Sequence, residues 1–171
     1  MNTRRATLRD LKALMALEEL CFAEGERNTR QEYQEALRKH DELFWVVHER
    51  GSQGLVASLL VEHWPSNWEL VAQAYRLGQS APRGDAKTAY LASIAVHPFC
   101  RRKGLAKDLV AQALDHLTYE GAQMAVLATR ANNIASQWLA KNLGFKPAFL
   151  RGGFFASKPD EEVWFFSKRL G

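Results

Sequence analysis

Ser93-Ile94-Ala95-Val96-His97-Pro98-Phe99-Cys100-Arg101-Arg102-Lys103-Gly104-Leu105-Ala106-Lys107 decides how the rest of the chain is read. It passes from a strand with β-branched residues through a short turn and a basic loop into an amphipathic helix. Leu105, Leu109, Val110, Ala113, Leu114 and Leu117 recur at helical spacing, and Gly121 ends the pattern. The first N–H groups of such a helix lack intrahelical partners and its dipole is positive there, so phosphate is favoured. Arg101, Arg102, Lys103 and Lys107 surround that end, and Gly104 lets a ligand approach the backbone closely. The stretch reads as a strand–loop–helix cradle for a phosphorylated cofactor.

Upstream, residues 3–8 alternate weakly as a first strand. Thr7-Leu8-Arg9-Asp10 has capping-box spacing, and Leu11, Leu14, Met15, Leu17, Leu20 and Cys21 give a helical apolar face. Thr29 fits the N-cap of a second helix reaching about Lys39, with Glu32 three residues on. Residues 44–47 and 55–61 read as a hairpin around a turn at 51–54. Residues 63–87 contain no strand pattern, and a short helix at 69–77 is expected among turn residues. A connection this long is usually functional or disordered, and Trp64, Trp68 and Tyr75 argue against disorder. Two readings stand for it, a side helix packed on the sheet and a wall of the substrate pocket.

Downstream, residues 90–96 form a central strand, and residues 124–128 are a near-continuous apolar run that suits an interior strand. Asn132 or Asn133 caps a further helix with Ile134, Trp138 and Leu139 facing inward. Gly144 is placed as its left-handed C-cap, followed by Phe145. Residues 146–150 and 163–167 complete the strands. The order β-α-α-β-β-β-α-β-α-β-β implies an α/β fold with a mixed sheet of six to seven strands, mostly antiparallel, and helices on both faces.

A chain of 171 residues, with 47% hydrophobic and 25% charged residues, is expected to form one domain over residues 1–171. No run approaches the roughly 18 apolar residues of a membrane span, and the N-terminus leads into no signal-type apolar core, so no membrane partner and a cytoplasmic location are expected. Cys21 and Cys100 form no framework and no metal spacing, and the five histidines contain no His-x-x-x-His pair, so no metal is expected. The net charge of +4 permits an anionic partner. The cationic cluster is local and lacks interleaved aromatics, so nucleic acid is not expected as a partner. A monomer or homodimer is expected.

The Walker pattern G-x-x-x-x-G-K-[ST], the dinucleotide pattern G-x-G-x-x-G and the hydrolase pattern G-x-S-x-G are absent. What is present, Arg101-Arg102-Lys103-Gly104-Leu105-Ala106, fits [R/Q]-x-x-G-x-[G/A]. The run Asn133-Ile134-Ala135-Ser136-Gln137-Trp138-Leu139-Ala140-Lys141-Asn142-Leu143-Gly144-Phe145 follows about 30 residues later. Together, over roughly residues 4–169, these resemble the GNAT superfamily of acetyl-CoA-dependent N-acetyltransferases, with a faint similarity to the arylalkylamine subgroup. The resemblance implies a GNAT-type fold. It also implies coenzyme A diphosphate on the loop Arg101, Arg102, Lys103, Gly104, Leu105, Ala106 and Lys107, a pantetheine arm along Ile94, Ala95 and Val96, and a contact from Asn133. The implied reaction is direct acetyl transfer to a primary amine, with a small alkyl or arylalkyl amine as acceptor. A protein N-terminal or lysine acetyltransferase and a non-catalytic acyl-CoA-binding module are the alternatives.

Transfer to an amine needs a neutral nucleophile, and deprotonating an alkylamine of pKa about 10.4 at neutral pH costs roughly 4.6 kcal/mol. Relatives often place an acidic tyrosine where this chain has Ala140, and some place a glutamate base where it has Ala128. Tyr90, four residues before Ile94, and Glu62, at the end of an apolar strand, are the expected substitutes for proton transfer. His97 is expected to be structural, and Trp64, Trp68 and Tyr75 suit an aromatic or cationic acceptor.

Overall fold

The computed structural model describes residues 1–39, 43–49, 54–64, 87–155 and 160–171. Residues 51–53 of the expected turn at 51–54, and residues 65–86 with the expected helix, Trp68 and Tyr75, lie outside the described residues.

The elements are β1 (Asn2–Arg5), α1 (Leu11–Cys21), α2 (Arg30–Lys39), β2 (Phe44–His48), β3 (Leu55–Trp64), β4 (Thr88–Val96), α3 (Leu105–Tyr119), β5 (Met124–Arg130), α4 (Ile134–Asn142), β6 (Lys146–Gly152) and β7 (Glu162–Arg169). Their order is the one read from the sequence. The strands form a seven-stranded sheet in the order β1-β2-β3-β4-β5-β7-β6. Pairing is antiparallel for β1 with β2, β2 with β3, β5 with β7 and β6 with β7, and parallel for β4 with β5. Among the pairings described, the parallel one joins strands connected through a helix, α3, as a parallel crossover requires.

The chain packs as two compact units, Met1–Val61 with Ala92–Ala113 and Glu62–Leu91 with Leu114–Gly171. In the first, Leu11, Leu14, Leu17, Tyr33, Leu37, Phe44, Val46 and Ala95 share a buried core. Strand β1 stops at Arg5, shorter than expected. Its ladder continues only through the Ala6 N–H, which donates to the Phe44 carbonyl at 2.7 Å. The Thr7 N–H then donates to Asp10 Oδ2 at 2.8 Å, which turns the chain toward the helix. The second capping box is reciprocal: the Thr29 N–H donates to Glu32 Oε2 at 2.6 Å and the Glu32 N–H to Thr29 Oγ1 at 3.2 Å. On α1 the expected apolar face needs correction, because Leu20 is exposed and Glu18 is buried in its place. The inward stripe runs through residues 11, 14, 17 and 18, and residue 20 falls on the opposite side of a 3.6-residue turn.

In the second unit, β5 contributes buried Ala125, Val126 and Leu127 between β4 and β7, the interior position its apolar run predicts. Helix α4 ends as expected. Gly144 has φ +81°, its N–H donates to the Lys141 carbonyl at 3.0 Å, and the Phe145 N–H donates to the Ala140 carbonyl at 3.0 Å. That closure buries Ala140, Leu143 and Phe145 and overturns the expected inward face, leaving Ile134 58% and Trp138 63% exposed.

Candidate active site

In the first unit, β4 ends at Val96, and the His97 N–H donates to the Val56 carbonyl at 2.9 Å. His97 Nδ1 accepts from the Phe99 N–H at 3.3 Å and caps the 3-10 turn Pro98–Cys100, the structural role the sequence suggested. The loop that follows carries left-handed backbone at Arg102 (φ +60°) and Gly104 (φ +82°). Turns of this kind bring successive amide N–H groups into anion-binding concavities. A Cβ placed on Gly104 would meet only Asp108 Oδ2 within 4 Å, at 3.8 Å, so the space before this glycine is open. The Gly104 carbonyl accepts from the Asp108 N–H at 2.9 Å, which starts α3 at this point. Arg102, Lys103 and Lys107 are exposed around it, and Leu105 and Ala106 are half-buried. Asp108 in the first turn offsets part of their charge. An open backbone cradle at a helix N-terminus with three exposed cations suits a diphosphate.

Arg101 behaves differently from its neighbours. Its Nε donates to the Val96 carbonyl at 3.1 Å, and the Cys21 thiol donates to the same oxygen at 3.3 Å. Burial pushes the Cys21 thiol above its usual range, and Arg101 opposes the shift. Arg101 thus closes the strand end while staying exposed, beside the exposed Arg102, Lys103 and Lys107. Ala95 is buried, while Ile94 and Val96 are half-buried.

In the second unit the structure brings Glu62 and Tyr90 together through Trp64. Tyr90 is 5% exposed and stacks on Trp64 with ring centroids 3.9 Å apart and an interplanar angle of 20°. Trp64 Nε1 donates to Glu62 Oε2 at 3.3 Å, and Phe154 meets Tyr90 edge-on at 6.5 Å. Trp64 is fully buried, which removes it as an exposed stacking face for an aromatic acceptor. Asn133 sits at the N-terminus of α4, where its Oδ1 accepts from the Ser136 N–H at 3.1 Å. Ala140 is fully buried and Ala128 half-buried. Among the described residues, no group of three or more His, Cys, Asp or Glu is placed to hold a metal, and no helix is long and apolar enough to cross a membrane.

The sequence reading missed a polar cluster in the first unit. Glu18 is 1% exposed. Its Oε2 accepts from the Tyr33 hydroxyl at 2.5 Å, and its Oε1 accepts from the Asn28 N–H and Asn28 Nδ2 at 2.8 Å each. Burial first, and then the Glu18 charge, push the phenol far above its ordinary range, so Tyr33 stays a protonated donor. The available signal was Tyr33 itself, the single aromatic residue in the polar helix α2.

A family model described as the acetyltransferase (GNAT) family matches residues 11–145. The chain belongs to this family. Over 74 residues this GNAT chain is 34% identical to the ribosomal protein bS18-alanine N-acetyltransferase of Escherichia coli strain K12, covering 43% of this chain and 50% of that protein. It therefore spans about half the length of the curated relatives it matches. Among solved structures it superposes on the GphF GNAT-like decarboxylase in complex with isobutyryl-CoA with a TM-score of 0.84, at 18% identity over 100% of both chains. It also superposes on the ribosomal-protein-S18-alanine N-acetyltransferase from Escherichia coli with a TM-score of 0.75, at 19% identity over 99% of this chain and 94% of the other. At these identities the structural likeness is one of fold, and the GNAT-type mixed sheet expected from the sequence is the fold found.

Proposed function

We propose that this GNAT chain is an N-acetyltransferase that passes the acetyl group of acetyl-CoA directly to a primary amine, with a peptide α-amine as the acceptor. The observation that carries the cofactor half is the loop before α3, with left-handed Arg102 and Gly104 and open space before the glycine. Arg102, Lys103 and Lys107 neutralise the diphosphate, and the backbone N–H groups of residues 102–107 donate hydrogen bonds to it. Ile94, Ala95 and Val96 align the pantetheine arm, with Asn133 adding a contact. The GNAT-like decarboxylase solved in complex with isobutyryl-CoA supports an acyl-CoA ligand on this fold.

The peptide acceptor rests on the curated relatives, which are named for an alanine of ribosomal protein bS18. The small arylalkyl amine loses the support Trp64 offered, because that ring is buried. In the reaction a neutral amine attacks the acetyl carbonyl, a backbone N–H of β4 stabilises the oxyanion, and the carbon–sulfur bond breaks as the thiolate leaves. The free thiol has a pKa near 8.5, so its departure needs little acid assistance. The amine proton is the costlier problem, and Tyr90 and Glu62 are the groups assigned to it.

The test has two arms. Coenzyme A should raise the melting temperature of the purified chain. Acetyl-CoA should then release thiol with alanine-starting peptides faster than with lysine side chains, alkylamines or arylalkylamines. Faster release with a small amine overturns the acceptor assignment. Binding of coenzyme A without thiol release on any amine would make the chain a binding module, and absence of binding would end the whole reading.

A further inference from the structure

Two side chains from separate parts of the first unit converge on the carbonyl of Val96, the last residue of β4. Arg101 Nε donates to it at 3.1 Å, and the thiol of Cys21, the last residue of α1, donates to it at 3.3 Å. A carbonyl oxygen has two lone pairs, so these donors fill it. The other end of the same peptide group is held as well, because the His97 N–H donates to the Val56 carbonyl on β3 at 2.9 Å. The 96–97 peptide is trans, and in a trans plane the C=O and N–H point to opposite sides. The Val96 carbonyl therefore faces the edge of β4 turned away from Val56. Three hydrogen bonds fix this one peptide plane at the strand end. Arg101 makes its bond with Nε rather than with the tip of the guanidinium, and reaches back five residues across the turn Pro98–Cys100 to do so.

We infer that Arg101 is a positioning residue for the pantetheine half of the cofactor, acting as a hydrogen-bond donor to the Val96 carbonyl, and is not a ligand of the diphosphate. This rests on the proposed use of residues 94–96 to align that arm. An extended arm pairs along a strand edge, and the Val96 carbonyl lies on the edge that β3 does not take. With its lone pairs filled, this oxygen accepts nothing from the arm, so the pairing stops short of it. Arg101 and Cys21 thereby set both the orientation of the strand end and the point where the arm leaves it. The exposed cations of the loop divide their work accordingly. Arg102, Lys103 and Lys107 act on the diphosphate through charge, whereas Arg101 acts on the strand through one N–H. A strand that aligns a thioester needs this rigidity, because displacing a reacting group by about 1 Å can cost on the order of a hundredfold in rate.

The experiment compares Arg101→Gln, Arg101→Met, Cys21→Ala and Lys103→Met in the whole chain. Counted along the side chain, Gln Nε2 takes the place of Arg Nε, so Arg101→Gln keeps the donor and loses the charge, while Arg101→Met loses both. Rates are measured with acetyl-CoA and with acetyl-pantetheine, which has the thioester arm and no diphosphate. The dissociation constant of coenzyme A is measured across a range of salt concentrations. Arg101→Met should lower kcat/KM about tenfold with both thioesters, and Arg101→Gln should recover most of that loss. In both variants the salt dependence of coenzyme A binding should match wild type. Lys103→Met gives the contrast: it should lose more with acetyl-CoA than with acetyl-pantetheine, and its coenzyme A binding should depend less on salt. Cys21→Ala removes the other donor and should slow both thioesters, which covers the case of an Arg101→Met chain that fails to fold. The inference is overturned if Arg101→Met slows acetyl-CoA alone, or if Arg101→Gln is as slow as Arg101→Met. It is also overturned if Arg101→Met and Cys21→Ala both stay within about twofold of wild type. Should the chain bind coenzyme A without transferring acetyl, a weaker salt dependence in the two Arg101 variants overturns it, and an unchanged one upholds it. Failure of the wild-type chain to bind coenzyme A would instead remove the cofactor reading, so the two failures are told apart.

Discussion

Arg102 and Gly104, two residues apart in the loop before α3, both hold left-handed backbone, at φ +60° and +82°. Only the second has the residue that accepts this conformation without penalty. An L-residue in this region costs about 1–2 kcal/mol, so Gly104→Ala should destabilise the chain by about that amount, or roughly 2–4 °C of melting temperature per kcal/mol. Its Cβ would also project into the open space before the loop, so coenzyme A should lose its stabilising effect more than the bare melting temperature falls. Arg102→Gly relieves strain and adds unfolded-state entropy, two effects of opposite sign, so its melting temperature should stay close to wild type. It should still bind coenzyme A more weakly, through the lost cation. Thermal-shift titration of both variants checks the pair, and equal coenzyme A responses in wild type and Gly104→Ala count against the loop as the diphosphate site.

The C-terminus of α4 is held from outside as well as by its glycine. Lys168 Nζ, on β7, donates to the Leu143 carbonyl at 2.7 Å, and a cation at this end also complements the helix dipole. Lys168→Met keeps most of the stem and removes the donor, which should cost about 1–3 kcal/mol. Urea denaturation measures it, and a change under about 0.5 kcal/mol would mean that water replaces the lysine without loss.

Asp10 gives the fold a definite acid response. Its carboxylate receives Arg4 at 2.6 and 2.8 Å and the Thr7 N–H at 2.8 Å, and the Arg4 hydrogen bonds are the main reason its pKa is lowered. A lowered folded pKa means that the stability is fully present above the unfolded carboxylate value of about 3.9 and is lost as pH falls through the folded value. Asp10→Asn should therefore be less stable than wild type near neutrality, by about 1–3 kcal/mol. The gap should close as the pH falls below about 4, through the lowered folded value. Denaturation midpoints of the two proteins across that range test the sign, and a gap that widens on acidification would contradict it.

What the sequence made legible was whatever depends on local chemistry. Thr29 with Glu32 and Gly144 with Phe145 act through neighbours within a few residues, and both caps form as read. The element order also followed from periodicity. Faces of short helices did not. Ile134 and Trp138 look inward by hydrophobicity, yet the closure at Gly144 and Phe145 turns the Ala140 and Leu143 side to the sheet. The Glu18 cluster was illegible for a different reason. Its parts lie at residues 18, 28 and 33, and a buried carboxylate in an apolar stripe is indistinguishable from a solvated one until its donors are placed. Tyr90 and Glu62 stand out separately in the sequence, and only the tertiary structure supplies Trp64 as the ring that joins them.

That intervening ring makes Tyr90 a position where size and hydroxyl have to be separated. Truncation to alanine would open a cavity beside Trp64 and Phe154 and should cost about 3–5 kcal/mol, so lost activity there says nothing about chemistry. Tyr90→Phe keeps the stack and its burial, and should leave the melting temperature within a few degrees of wild type. If the phenol carries a proton in the reaction, kcat should fall by about a hundredfold, in the range of positioned acid–base groups. Glu62→Gln keeps an acceptor for Trp64 Nε1 while removing the charge, so it tests the base with the indole still anchored. Loss in Tyr90→Phe alone would place the proton on the phenol, and loss in Glu62→Gln alone would place it on the carboxylate. If both variants keep wild-type kcat, neither group handles the amine proton, and proximity with the oxyanion donor must supply the rate.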